Sequence, residues 1–349
     1  MEKNLISIQA EKSFPIQLEN LSNYKKPSKA KAGWQIVNTV VPYLGLWALM
    51  IYLLRQEFPY WITLLLSVVA AGFLVRIFII FHDCCHRSYF DSAAMNVIFG
   101  HIFGILAFTA YEEWRFLHLK HHGTSGNLDK RGMGDIWTMT VDEYLASSRW
   151  QKFLYRVFRN PLLMLGFGPI FYFVVTQRFW HKQAAGKQKY SVLLTNVILV
   201  LIIGIFYFSI GISTYLAIQL PVILVAGALG IWLFYVQHQF EGVYWARQKD
   251  WSPIKAALEG SSYYKLPKVL QWVSRNIGFH HIHHIRPQIP NYNLQRCYNE
   301  IPALQTVRLL TLRKSLSSLF LNLWHEQQFK LISFRKLKSL SRHQVNGMG

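Results

Sequence analysis

Residues 60–90 read YWITLLLSVVAAGFLVRIFIIFHDCCHRSYF. The run from Tyr60 to Phe81 is apolar except for Arg76 near its end. At about 1.5 Å per residue it is long enough to cross a hydrocarbon core of roughly 30 Å as a helix. His82-Asp83-Cys84-Cys85-His86 follow without a break. The i, i+4 spacing puts the imidazoles of His82 and His86 on one face, just where the helix leaves the membrane. Arg76, near that same end, is expected to snorkel toward the interface.

Five further apolar stretches lie near 34–54, 93–110, 161–180, 191–211 and 213–236. A span needs about 20 apolar residues, and 34–54, 60–81, 191–211 and 213–236 meet that best. The link Arg55–Pro59 carries one Arg and one Glu, and Ser209–Gln219 carries no charge, so both read as short outside turns. The first 33 residues hold Lys3, Lys12, Lys25, Lys26, Lys29 and Lys31. The tail holds Arg308, Arg313, Lys314, Lys330, Arg335, Lys336, Lys338 and Arg342. Positive charge marks the cytoplasmic side, so both termini are expected inside. Segment 161–180 follows Arg156 and Arg159 and precedes Arg178, Lys182, Lys187 and Lys189. It should therefore start and finish inside, as should the short segment 93–110, which joins two histidine clusters. The expected fold is an all-α integral membrane protein. It has four transmembrane helices, two interfacial or re-entrant ones and a cytoplasmic helical cap. A six-span arrangement is the alternative. Residues 1–33 form a polar cytoplasmic arm, 34–300 the working domain and 301–349 a basic amphipathic tail, with Val307–Trp324 as a candidate helix on the inner leaflet.

Composition supports this. Of 349 residues, 52% are hydrophobic and only 15% charged, against about 25% charged in soluble domains. The net charge of +20 would suit nucleic acid, but no binding motif is present, and a positive inner face explains it better. Cys84, Cys85 and Cys297 make no disulfide framework and fit a reducing compartment. No apolar core run follows Met1, so no cleavable leader is expected.

Histidine is the anomaly: nine of 14 fall in three tight clusters. The second is His118-Leu119-Lys120-His121-His122, with Thr109 and Glu112 as a candidate capping box and Gly123 as a candidate stop. The third is His280-His281-Ile282-His283-His284, closed by Pro287. In each, imidazoles at i, i+3 and i+4 fall within about 100° of arc, and His281 lies outside it. Isolated histidines are usually structural. Eight imidazoles gathered by three matched motifs on one membrane face point to metal instead. Imidazole suits Zn, Cu, Fe and Ni. Eight ligands are too many for one ion and suit two. His121 and His122 point about 100° apart on a helix, as do His283 and His284, so each pair can serve both ions of a two-metal centre. Asp83 and Asp135 are candidates to back liganding imidazoles. Asp129, Glu112 and Glu113 are weaker ones. By spacing alone His238 is a lone interfacial histidine.

The motifs resemble the three histidine boxes of membrane-bound fatty acid desaturases, HxxxH, HxxHH and HxxHH. The likeness extends through IFHDCCHRSYF, HHGTSGNLDKRGMGDIWTMTVDEY, WLFYVQHQFEGVYW and EGSSYYKLPKVLQWVSRNIGFHHIHHIRPQIPNYNL, from about Gly33 to the tail. It is closest to bacterial acyl-lipid desaturases of the phospholipid Δ5 type, which take electrons from soluble ferredoxin or flavodoxin. The resemblance implies four membrane helices under a cap, a tunnel for the acyl chain, and a non-haem di-iron centre. Its ligands would be His82, His86, His118, His121, His122, His280, His283 and His284. Relatives also use a histidine after the last membrane helix, and His238 stands there. An Asn one turn earlier in some relatives is Phe234 here. His101, His181, His325 and His343 match no box.

The implied reaction inserts a cis double bond into the acyl chain of a membrane lipid, with O2 as co-substrate and a separate electron donor. No haem motif of a fused donor domain is visible. Unactivated C–H bonds lie beyond acid–base chemistry, so no catalytic side chain is expected apart from the metal ligands. The rivals are a di-iron hydroxylase or ketolase on a lipid substrate, a haem-binding membrane electron carrier, and a metal transporter. The near absence of polar groups in the spans speaks against the last.

Overall fold

The computed structural model describes residues 20–346. Among the described residues, four helices are long and apolar enough to cross a membrane: Lys29–Arg55, Tyr60–Cys85, Gly186–Ile210 and Ile212–His238. They begin and end close to where the apolar runs do. Ser28 caps the first by accepting from the backbone of Lys31. Pro42 and Pro221 lie inside the first and last, which membrane helices tolerate. Gly211, at φ +82°, is the whole link between the third and fourth long helices. That left-handed backbone falls to the residue type that adopts it without strain.

The two remaining apolar stretches are bent. Helix Ala93–Leu106 turns by 99° into Tyr111–Thr124, and Arg149–Phe158 turns by 61° into the irregular helical run Leu163–Arg178. Counted as broken spans they would raise the number of crossings to six. The first bend depends on two glycines. A Cβ on Gly100 would sit 2.3 Å from the Tyr111 ring, and one on Gly104 would sit 2.5 Å from the Thr109 carbonyl oxygen. The second segment packs against the fourth long helix, where a Cβ on Gly227 would sit 2.7 Å from Pro169.

Beyond the membrane helices lies a cap of short elements. It includes helix His280–Ile285, helix Asn291–Glu300 and five strands of two or three residues. Strands β1 (Met139–Thr140), β4 (Leu323–His325) and β5 (Lys330–Ile332) form one small sheet, with β1 parallel and β5 antiparallel to β4. β2 (Tyr263–Lys265) and β3 (Leu309–Thr311) form a parallel pair. This corrects the tail. Val307–Trp324 is not one amphipathic helix: it supplies β3, a turn of helix and β4, because Leu323 and Trp324 are buried in the cap. Burial and strand pairing there outweigh the helical pattern of the tail taken alone. The amphipathic basic helix is further on, at Phe334–Asn346.

Arg76 does not snorkel. It is fully buried, donates to Thr39 Oγ1, Asn38 Oδ1 and the Trp272 carbonyl, and stacks 3.4 Å from the Trp272 ring centroid. Arg275 donates to the same Asn38 and Thr39 side chains. The segment before the third histidine cluster is thereby tied to the first and second long helices.

Candidate metal centre

The three histidine motifs ride on different elements. His82 and His86 end the second long helix, His118, His121 and His122 lie on Tyr111–Thr124, and His280, His283 and His284 on the short helix His280–Ile285. The expected capping box on the second is absent. Its N-cap is Ala110, Thr109 Oγ1 donates to the Ala107 carbonyl, and Glu112 sits 3.8 Å from Arg115. The tight 99° turn leaves the Thr109 hydroxyl bonded backward rather than over the helix end. Gly123 lies inside the helix, which ends at Thr124.

Folding gathers nine imidazoles into two groups, each with ligand atoms within 4.8 Å of one another. The first holds His82, His86, His118, His122 and His283, and the second holds His121, His238, His280 and His284. His121 and His122 part company into different groups, as do His283 and His284. The groups adjoin, for the rings of His122 and His284 stack with centroids 4.2 Å apart. His281 stays out. It is fully buried, its Nε2 lies 3.2 Å from the Leu304 carbonyl oxygen, and burial pushes its pKa down to about 3.

Within each group the Nε2 atoms face one another. His118 and His122 are 3.2 Å apart, and His122 and His283 3.0 Å. In the second group His121–His238 is 3.1 Å, His238–His280 2.9 Å and His280–His284 3.1 Å. Neutral imidazole has one donor and one acceptor nitrogen, so so many converging nitrogens cannot all be satisfied by each other. A cation at their common focus would satisfy them. Protons do not suit: burial, and then the neighbouring imidazoles, hold His280, His283 and His284 well below the usual imidazole range. Ligation needs that neutral form.

The far nitrogens are held in part. His121 Nδ1 is 2.6 Å from Asp135, His82 Nδ1 is 3.2 Å from Asp83, and His238 Nδ1 is 3.3 Å from the Gly260 carbonyl oxygen. Such backing fixes the ring orientation and leaves Nε2 for the focus. Asp83 also accepts from Asn291, through its backbone N at 2.7 Å and its Nδ2 at 2.8 Å. The weaker carboxylates point elsewhere. Asp129 pairs with Arg247, and Glu113 binds His181 at 2.8 Å. Phe234 packs against His121 and His238, with centroids 5.0 and 5.1 Å away. With Asp135 and Trp245 it lines a small cavity beside the second group. Among the described residues, no carboxylate or thiol belongs to either group. Cys84, Cys85 and Cys297 are buried and free, and burial raises the Cys297 thiol to about 12. An all-imidazole donor set on two adjoining foci fits a pair of first-row transition metal ions, iron included.

Spacing gave no sign that His238 would join them. The usable signals are its place at the end of an apolar run and the matching histidine of the family it resembles.

Comparison with known proteins agrees with this geometry. The family described as "Fatty acid desaturase" matches residues 58–314. The chain is 44% identical over 322 residues to a "Fatty acid desaturase" of Bacillus subtilis, covering 92% of this chain and 91% of that protein. It is 26% identical over 296 residues to an "sn-1 oleoyl-lipid 12-desaturase" of Synechocystis, covering 79% of this chain and 77% of the other. It is 25% identical over 284 residues to an "sn-1 acyl-lipid omega-3 desaturase (ferredoxin)" of Nostoc, covering 76% and 71%. An integral membrane protein with these two histidine groups and this match belongs to the fatty acid desaturase family and is an oxidoreductase of that family.

Proposed function

We propose that the nine histidines hold two iron ions and that the protein desaturates the acyl chain of a membrane lipid, taking electrons from a separate soluble carrier. The observation that carries this reading is the sorting of His82, His86, His118, His122 and His283 from His121, His238, His280 and His284. Bound iron would supply the activation of O2 needed to remove hydrogen from unactivated C–H bonds. The chain's own residues place and orient the imidazoles, and Asp135 and Asp83 set the rings of His121 and His82. The buried walls around them, Trp114 stacked 4.2 Å from His118 and Phe234 against His121 and His238, exclude competing reactions with solvent.

The lipid-linked substrate is supported by relatives whose names specify acyl-lipid desaturation, one of them with ferredoxin. The basic inner surface suits an acidic carrier such as ferredoxin or flavodoxin. A Δ5-type bond position rests on the likeness of the motif-bearing segments. With both termini and the histidine groups on the cytoplasmic side, the centre faces that carrier, in keeping with the basic arm and tail.

Expression in a host without polyunsaturated lipids tests all of this. Gas chromatography with double-bond localisation should show a new cis bond in lipid-bound chains. Metal analysis should find about two irons per chain without haem. A hydroxylated product in place of an alkene would overturn the reaction assigned.

A further inference from the structure

Helix Arg149–Phe158 has an apolar face that nothing among the described residues covers. Tyr155 is fully buried in the cap. Its hydroxyl donates to the Asn322 carbonyl and accepts from the backbone of Met139. Successive residues turn by about 100°, so Trp150, Phe153, Leu154 and Val157 form a stripe on the opposite side. Trp150 is 64% exposed, Phe153 54% and Leu154 39%, and the rings of Trp150 and Phe153 stack 5.3 Å apart. Three large exposed side chains on one stripe are costly against water.

Arg149, Lys152 and Arg156 run along one flank of that stripe. The partners of Lys152 and Arg156 are uncharged: the Leu145 carbonyl, the Tyr144 hydroxyl and the Phe334 ring. The helix thus shows an apolar stripe beside a basic row, the pattern of a helix lying in a bilayer interface.

The chain that follows says what covers the stripe. After the 61° bend, Leu163–Arg178 packs on the fourth long helix at Gly227. Gly227 lies eleven residues before His238, so this contact is about 16 Å inside the end of that helix. Phe158, Leu162, Phe167 and Phe171 are exposed along the way, so large exposed apolar side chains recur from Trp150 into the run that packs on that helix.

We propose that Arg149–Phe158 is an interfacial anchor, with its apolar stripe among the acyl chains and its basic row against anionic lipid phosphates. Through Tyr155 it would hold the β1–β4–β5 sheet of the cap down on the leaflet. The proposal does not depend on the iron reading.

Spin labels at Trp150→Cys, Phe153→Cys and Lys249→Cys test it in the full-length protein reconstituted into vesicles. The native cysteines are buried, and Lys249 is 82% exposed on the cap, so each label reports its own position. Desaturation by each variant serves as the fold control. In phosphatidylcholine vesicles containing phosphatidylglycerol, labels at 150 and 153 should collide more with O2 than with a water-soluble nickel chelate. The label at 249 should show the reverse. Omitting phosphatidylglycerol, or combining Arg149→Gln with Lys152→Gln, should shift the first two toward the aqueous ratio. An aqueous ratio at 150 and 153 in every vesicle would overturn the anchor. So would spin–spin broadening that disappears on dilution with unlabelled protein, since it would mean that a second copy covers the stripe. Depth unaffected by both lipid charge and the double variant would overturn the role of the basic row.

Discussion

The two histidine groups share the helices Tyr111–Thr124 and His280–Ile285, yet they are built differently. The first has five imidazoles, all from the repeated motifs, and its carboxylate, Asp83, spends its two shortest bonds on Asn291 rather than on His82. The second has four, borrows His238 from the end of a long helix, and has a carboxylate 2.6 Å from a ring nitrogen. A five-ring group can lose precision at one ring and still surround its focus. A four-ring group has no ring to spare. The second group should therefore be the more easily emptied of the two.

The largest effect should follow removal of a ring from that group. His121→Ala should abolish desaturation while the protein stays in the membrane, and its iron content should fall by about half, since one focus keeps its full set. Equal residual activity in the lipid fatty-acid profiles of His121→Ala and wild type would break the proposal altogether.

Next come the carboxylates, which separate the groups by kind of damage. Asp135→Asn should weaken iron retention by about 10–100-fold with little loss of fold, because its main contact is a ring. Asp83→Asn should act chiefly on stability, by about 1–3 kcal/mol, because it leaves a buried donor of Asn291 unsatisfied. Iron titration and thermal unfolding, run on both variants, would show the reverse order if the comparison is wrong.

Acid should strike both groups alike. Burial holds His280, His283 and His284 neutral in the folded protein, well below the usual imidazole range. Below about pH 6.5 the unfolded chain takes up protons that the folded chain refuses, so stability is full above that value and declines beneath it. The melting temperature of iron-free protein should be flat at neutral pH and fall on acidification. An increase would contradict the neutral state assigned to the rings.

The smallest functional effect belongs to His281. It sits among the proposed ligands in sequence, but its Nε2 lies against the Leu304 carbonyl oxygen. His281→Gln should cost some stability and leave desaturation in place. A loss as severe as that of His283→Ala would show that the arc of the helix does not select the ligands.

Much of this was legible beforehand because it is local. Apolar runs of membrane length marked all four long helices, and i, i+3, i+4 spacing predicted which rings share a face and which neighbours diverge. The misread features depend on distant partners. Thr109 fails as a cap because Gly100 and Gly104 let the next helix fold close against its predecessor. Arg76 turns inward because Asn38, Thr39 and Trp272 are there to receive it. The tail's apolar pattern becomes strand because β1, β2 and β5 wait beside it. The exposed stripe on Arg149–Phe158 is not legible in the sequence because a sequence pattern does not tell which face the cap will use.

The sequence by itself determined that this chain lives in a membrane and carries three sets of aligned imidazoles, since hydrophobic length and helical periodicity act over a few turns. Only the tertiary structure decided that nine rings divide as five and four, and that His238 falls in the smaller set. Those outcomes are distances between segments as far apart in sequence as His82 and His283, and they are set by how the helices pack rather than by the spacing along any one of them.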